Sequence, residues 1–304
     1  MSFESWMERL RNQAFSKGIS VDTLQNTFLK IDQLDLKNKP EQILYTPSAH
    51  QNNLTFSTLL MRQYGDVLFE ISHLFGVSVE VLVAIASMEN QATETFPAID
   101  ILINQSFHHP RDIRYQNELL QALKIIDEGQ ISPQQLRSNI NGKLGKTRFK
   151  PTVFRDFAID FNGDGKYDIW ENYADIFAST ANYLSNIGWK SGEPWAVQVV
   201  LPEEFDLKHI NINQQKSIDY WQDLEIYQFN GRDLPNINAM GSLIQIDFDK
   251  YYLVLDNYFT LLRWKRSQEF AFSIGKLIDT LKPTTSEPDS PSQESPSARL
   301  DQTL

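Results

Sequence analysis

A mainly α chain with a small β part (α+β) is predicted from three observations. Apolar residues recur at helical spacing through most of the first 190 residues. From Trp195 to Asp256 the pattern turns β-branched or alternating. From Pro283 to Leu304 the chain is Ser, Pro, Thr, Gln and Asp with almost nothing to bury, so a disordered tail is expected.

The 304 residues suffice for one large domain or two ordinary ones, and 41% hydrophobic content allows a sizeable core. A net charge of -11 and a pI of about 5.0 argue against nucleic acid or an anionic membrane as the main partner. The absence of cysteine excludes disulfides, thiolate catalysis and Cys-zinc sites. Met1 to Trp6 has no basic region followed by an apolar run, so no signal peptide is expected in the sequence as given. The longest apolar run, Val81 to Met88, is too short for a transmembrane segment.

Taken in order, Ser2 caps a helix carrying Trp6, Leu10 and Ala14, and Gly18 stops it. Ser20 caps a second, with Leu24, Phe28 and Ile31 inward. The stretch around Pro40, Pro47 and Asn52-Asn53 reads as irregular, and Thr55 to Phe75 as one long helix ending at Gly76. Ser78 caps a short helix through Glu89. Arg111 to Gly129 is helical, Ser132-Pro133 opens a further short helix, and Asn139 to Lys150 is a loop. Pro151 starts a helix, and Trp170 to Asn186 forms another, closed by Gly188. Strands are expected at 196–201, 243–248 and 251–255, and Tyr258 to Lys282 returns to helix.

The most specific motif is Asp160 to Glu171, which fits D-x-[DN]-x-[DN]-G-x5-E at every fixed position. Asp160, Asn162 and Asp164 offer side-chain oxygens, and Lys166 its backbone carbonyl. Asp168 ligates through water, and Glu171 closes the site with two oxygens. A single structural Ca2+ is therefore expected; the alternative is an Asp/Gly-rich surface turn.

Glu89 follows Leu82 and Ile85 on one helix stripe. Apolar surroundings and a helix C-terminus both disfavour a carboxylate anion, as a general acid requires. The alternative is a frayed, solvated last turn. His108-His109 lacks any further metal-ligand spacing and reads as loop histidines. Gly145-Lys146-Thr147 ends like a phosphate-binding loop, but Ile140 stands where the first glycine is required. Lys143, Lys146, Arg148 and Lys150 form a basic run, either a solvated loop or a contact surface for an anion or saccharide.

These parts together resemble the lytic murein transglycosylase B family, from Phe3 to about Leu281. Phe3-Glu4-Ser5-Trp6 and Lys17-Gly18-Ile19-Ser20 resemble its N-terminus, and Val81 to Ile85 with Glu89 the helix that delivers its catalytic glutamate. Glu118 to Leu123 is similar to its next helix, Gly142 to Pro151 to its GAMGxTQFxP loop, and Asp160 to Trp170 with Ala181 to Leu184 to its calcium loop and following helix. The resemblance implies a lysozyme-like core with N-terminal accessory helices and a β insertion. Residues 1–75 would be the accessory region, 76–194 the catalytic core, 195–256 the insertion and 257–282 the last helical part of the core.

The resemblance also implies cleavage of the MurNAc–GlcNAc bond of peptidoglycan strands without water, by Glu89 alone, giving 1,6-anhydro ends. It implies the periplasm or cell envelope, with Asn139, Lys143, Arg148, Phe149, Trp264 and Lys265 as substrate residues. A monomer is expected. Several positions depart from the family pattern. Phe96 comes about three residues sooner after the glutamate. Arg148 stands where the family has a substrate-facing Gln, Lys143 and Leu144 replace a small residue and Met, and Trp264-Lys265 replaces Tyr-Asn. A guanidinium beside a carboxylate favours its ionised form, the wrong direction for a general acid. Two readings follow: an enzyme for a more anionic or altered glycan, with Arg148 contacting substrate, or a catalytically impaired peptidoglycan-binding or interaction protein.

Overall fold

The computed structural model describes residues 2–28, 47–90 and 95–283. Expectations for Ile31, the segment around Pro40, residues 91–94 and the tail from position 284 lie outside them.

The Ser2 hydroxyl accepts from the Ser5 amide and caps α1 (Phe3–Ser16), whose Trp6, Leu10 and Ala14 are buried. Helix α2 (Val21–Phe28) follows Ser20, whose hydroxyl accepts from the Thr23 amide. The Ser20 amide and hydroxyl both donate to Asp127, at 3.0 and 2.5 Å. That ties the N-terminal helices to the rest of the molecule.

The expected long helix is two. Helix α3 (Pro47–Gln63) begins earlier, and α4 (Gly65–Phe75) follows a break at Tyr64. Gly65, a poor helix former, allows the break, and α4 ends on left-handed Gly76. Asn52-Asn53 lies inside α3, where Asn53 is buried and its Nδ2 donates to Met88 Sδ.

Helix α5 (Val79–Glu89) is the centre of the fold. Every residue from Val81 to Glu89 is buried, so it is not an amphipathic surface helix. It packs against α3, α4 and two helices introduced below. Ser57 and Ser87, both buried, satisfy each other across α3 and α5 at 2.7 Å. No single helix among the described residues is long and apolar enough to cross a membrane.

Strand β1 (Phe96–Pro97), α6 (Ala98–His108) and α7 (Ile113–Asp127) come next, α7 capped by Asp112. Ser132-Pro133 opens only a turn, and the chain enters β2 (Arg137–Ser138), which pairs antiparallel with β1. Helix α8 (Pro151–Phe157) starts at its proline, with Glu118 accepting from the Thr152 amide and hydroxyl. Helix α9 (Tyr173–Asn186) starts three residues later than expected, because the Asn172 side chain caps it. Helix α9 covers one side of α5.

A five-stranded antiparallel sheet follows, in the order β4-β6-β7-β3-β5. Its members are β3 (Ala196–Val200), β4 (Lys216–Ser217), β5 (Tyr227–Gln228), β6 (Met240–Asp247) and β7 (Lys250–Val254), with α10 (Ile218–Asp223) after β4. Trp221, Ile226, Leu243 and Leu253 form a small core of their own beneath it. The expected helix at 258–282 is also two, α11 (Asp256–Trp264) and α12 (Gln268–Leu281), and α12 packs on α5.

Trp195 fastens the sheet to α12. Its indole lies flat on Gly275, and its Nε1 donates to Asp279 at 3.0 Å. A Cβ at position 275 would sit 2.3 Å from the ring. Gly275→Ala therefore sets a helix-propensity gain of about 1 kcal/mol against overpacking of roughly 1–3 kcal/mol. Net destabilisation is expected in urea melts; a stabilised variant would show that the indole is not fixed there.

Candidate active site

Glu89 ends α5 and is 3% exposed. The Trp264 Nε1 donates to Glu89 Oε1 at 3.1 Å, and Lys265 Nζ lies 3.8 Å from Oε2. Both arrive through the break between α11 and α12. Lys265 is extended, and the Ser267 hydroxyl caps α12 by accepting from the Phe270 amide. Lys265 Nζ also sits 4.4 Å from the centre of the Phe270 ring.

The Gly-rich loop crosses the same end of α5. Asn139 Oδ1 accepts the amides of Asn141 and Lys143, each at 3.0 Å, which shapes the turn. Leu144 and Phe149 exchange backbone hydrogen bonds and pinch off residues 145–148. At Gly145 (φ 55°) a Cβ would lie 2.5 Å from the Ile169 carbonyl oxygen, which accepts the Lys146 amide at 2.8 Å. Only glycine permits that approach.

Arg148 is left-handed too, at φ 55°, a conformation costing a non-glycine residue roughly 1–2 kcal/mol. What offsets it is visible. Arg148 Nη2 donates to the Glu89 backbone carbonyl at 3.2 Å, placing a cation on the negative end of the α5 dipole. The guanidinium thus meets the backbone of Glu89, and the ammonium near the carboxylate belongs to Lys265. Phe149, Tyr183 and Trp264 pack together beneath, with ring centres 5.3–5.7 Å apart. Burial pushes the Tyr183 hydroxyl up from its ordinary pKa.

These elements enclose a cleft of about 130 Å³ lined by Glu89, Arg137, Ser138, Lys146, Arg148 and Glu171, among others. Of the expected substrate residues, Arg148 lines it, while Trp264 and Lys265 touch Glu89. Asn139 is buried in its own turn, Phe149 is core, and Lys143 is not among the lining residues. Lys146 belonged to the basic run. Arg137 was not anticipated; its signal is faint, a basic residue two positions before the Asn139 turn.

The Asp160 loop is a network of turns. Asp160 accepts the amides of Gly163, Asp164 and Gly165 at 2.7–3.2 Å, and Asp164 accepts that of Lys166. Asp168 accepts those of Trp170 and Glu171. Glu171, expected to close a calcium shell, turns outward with its side chain 84% exposed and meets Lys146 at 3.1 Å. The carboxylate beneath the loop is instead Asp175 of α9, fully buried, which accepts the amides of Phe161 and Asp168 at 2.9 Å. Burial raises the Asp175 pKa, and the Asp160 charge adds to it. Among the described residues no three acidic or histidine side chains converge closely enough to hold a metal ion. Asp160, Asn162 and Asp164 provide oxygens of the type a hard cation takes, but in this conformation Glu171 does not join them.

Comparison with known proteins accords with this geometry. Membrane-bound lytic murein transglycosylase B of Escherichia coli (strain K12) is 28% identical over 244 residues, covering 76% of this chain and 63% of that protein. The chain thus spans less than two thirds of that relative's length. The crystal structure of SltB3 from Pseudomonas aeruginosa in complex with NAG-anhNAM-pentapeptide matches with a TM-score of 0.85 at 29% identity, over 92% of this chain and 79% of that one. Its complex with NAG-NAM-pentapeptide matches with a TM-score of 0.86 at the same identity and coverage. An Escherichia coli lytic transglycosylase solved in complex with calcium shares the fold, with a TM-score of 0.66 at 24% identity over 90% of this chain and 82% of that one. The fold is the lysozyme-like one of lytic transglycosylases. A family model described as the transglycosylase SLT domain matches residues 2–279, and the chain belongs to that family.

Proposed function

We propose that the chain is a peptidoglycan lytic transglycosylase with Glu89 as its single acid/base. The observation that carries this is the placement of Glu89: a buried carboxyl at a helix end, opening into a cleft. The one other acid among the lining residues, Glu171, is held by Lys146. Among the described residues, the lining therefore holds one buried carboxyl, Glu89, and one exposed, lysine-paired carboxylate, Glu171, which fits a mechanism carried by a single acid/base. The substrate class comes from the relatives, since SltB3 is solved with both NAG-NAM-pentapeptide and NAG-anhNAM-pentapeptide.

In the proposed reaction Glu89 gives its proton to the glycosidic oxygen as the bond from muramic acid C1 breaks. The C6 hydroxyl of the same sugar then attacks C1, and the Glu89 carboxylate takes that hydroxyl's proton. Water is not consumed, and the acid is restored. Trp264 fixes the direction of the carboxyl, and Lys265 faces the anion that exists between the two transfers. Arg148 holds the end of α5 and not the carboxylate. A cell-envelope location follows from this substrate.

We further propose one structural calcium in the Asp160 loop, bound by Asp160, Asn162, Asp164 and the Lys166 carbonyl. Asp175 is the better candidate than Glu171 to complete it, because it already lies under the loop. Asp168 contributes through water.

Incubation with purified sacculi is expected to release 1,6-anhydro-muropeptides, with Glu89→Gln lowering the rate by about 10²–10⁴-fold. Binding of sacculi with no product from the unaltered chain would assign it instead a binding role. Trp264→Phe removes the donor to Glu89 Oε1 and part of a buried ring, so kcat should drop about tenfold and the melting temperature should fall as well. Calcium at a hundredfold excess over its Kd should stabilise the fold by about 2.7 kcal/mol. Asp160→Asn should lose that gain and Glu171→Gln keep it. Loss of the gain in Glu171→Gln would return Glu171 to the ligand set.

A further inference from the structure

A second concave site lies at the other end of α5. A cavity of about 320 Å³ opens between the end of α4, the start of α5, the end of α12 and the loop from Trp189 to Trp195. That is the scale of a small-ligand site. It shares no lining residue with the Glu89 cleft. The 11 residues of α5 hold the two apart, by roughly 15 Å along the helix axis. The loop forming one wall is fixed from beneath by α11. Asn257, fully buried, donates Nδ2 to the Lys190 and Glu193 carbonyls at 2.9 and 2.8 Å, and its Oδ1 accepts the Lys190 amide at 2.7 Å.

The polar groups of this cavity are not engaged with the protein. Glu193 Oε2 is buried and accepts no hydrogen bond. Among the described residues Glu80 meets no cation, and the partly buried Trp189 indole has neither a ring partner nor an acceptor for its N–H. Ser78 begins α5 without a side-chain cap hydrogen bond and lines the cavity beside Ser191. Lys282, the lining cation, already meets Asp279 at 3.1 Å. An anionic ligand would face Glu80 and Glu193. An apolar one would leave Glu193 Oε2 without a donor. An ammonium would suit the carboxylates but has no acceptor for the Trp189 N–H. A saccharide brings hydroxyls that donate and accept, and a ring face that can lie on an indole.

We propose that this cavity is a second saccharide site, taking an N-acetylhexosamine unit with Glu193 as acceptor and Trp189 as both platform and donor. The acetamido carbonyl of such a unit is an acceptor for the indole N–H. That the glycan is peptidoglycan rests on the transglycosylase reading above; that the cavity takes a saccharide does not. Two sites that hold one polymer raise its effective concentration at the Glu89 cleft.

The probe is chitotriose, an oligomer of N-acetylglucosamine, titrated into the unaltered chain and into Glu89→Gln. The Trp189 indole N–H, assigned in proton–nitrogen NMR spectra by its loss in Trp189→Phe, is expected to shift saturably in both. Glu193→Gln keeps the side-chain shape and should weaken that binding about tenfold, with thermal melts checking the fold. On sacculi the same variant should raise KM and leave kcat unchanged, while short soluble fragments that cannot reach both sites should be cleaved as by the unaltered chain. No indole shift with chitotriose overturns the inference, as does a shift whose affinity Glu193→Gln leaves unaltered. Binding of glucosamine where chitotriose fails overturns it in favour of an amine site. Anhydro products from sacculi without the indole shift would leave the transglycosylase reading and remove this one. The indole shift without any product would do the reverse.

Discussion

The structure depends on carrying one carboxyl group into the interior on the end of a helix buried on every side. Burying an ionisable group is costly unless it is hydrogen-bonded or paired. Helix α5 can be central because its residues from Val81 to Met88 are apolar, apart from Ser87, which Ser57 satisfies. Glu89 has no such local solution. Its partners, Trp264 and Lys265, come from 175 and 176 positions along the chain. The last carbonyl of the helix, its own, needs a donor as well, and Arg148 supplies it from a third segment. Three distant pieces of chain therefore converge because one helix end must be satisfied.

That convergence explains what was legible in the sequence and what was not. The caps at Ser2 and Asp112, the proline start of α8, and the shift to strands after Trp195 were set by local chemistry, though Asp112 was not singled out. The stripe of Leu82, Ile85 and Glu89 identified the buried carboxyl, but suggested one face where all faces are covered. The two helix breaks were invisible for a common reason. Residues 55–75 and 258–282 keep helical spacing across the breaks, so periodicity alone reads each as continuous. At 265–267 the break follows from the Ser267 cap and from the pull of Trp264 and Lys265 toward Glu89. Ser132-Pro133 failed in the opposite sense. It is a good helix start, but the chain pairs β2 with β1 within a few residues.

The Asp160 loop shows the same limit. A twelve-residue pattern specifies spacing, and spacing brought Asp160, Asn162 and Asp164 into one turn. It does not specify where the twelfth side chain goes once a lysine stands opposite. Glu171 meets Lys146, and a carboxylate outside the pattern, Asp175, fills the space under the loop. Lys146 also carries the loop's influence into the cleft, since its amide is bound by Ile169 and its ammonium by Trp170 and Glu171. The acidic loop and the catalytic helix are thus neighbours through one lysine.

Net charge was the least transferable of the sequence readings. A value of -11 argues against anionic partners when charge is taken as spread over the surface. Yet exposed charges beyond about 8–10 Å are largely screened at physiological ionic strength. Inside a cleft of about 130 Å³, a ligand responds chiefly to the groups that line it. There Arg137, Lys146 and Arg148 outnumber Glu89 and Glu171, and backbone carbonyls hold all three cations in place. An acidic chain and a cleft lined mainly by basic side chains are therefore compatible, because the two signs act at different length scales.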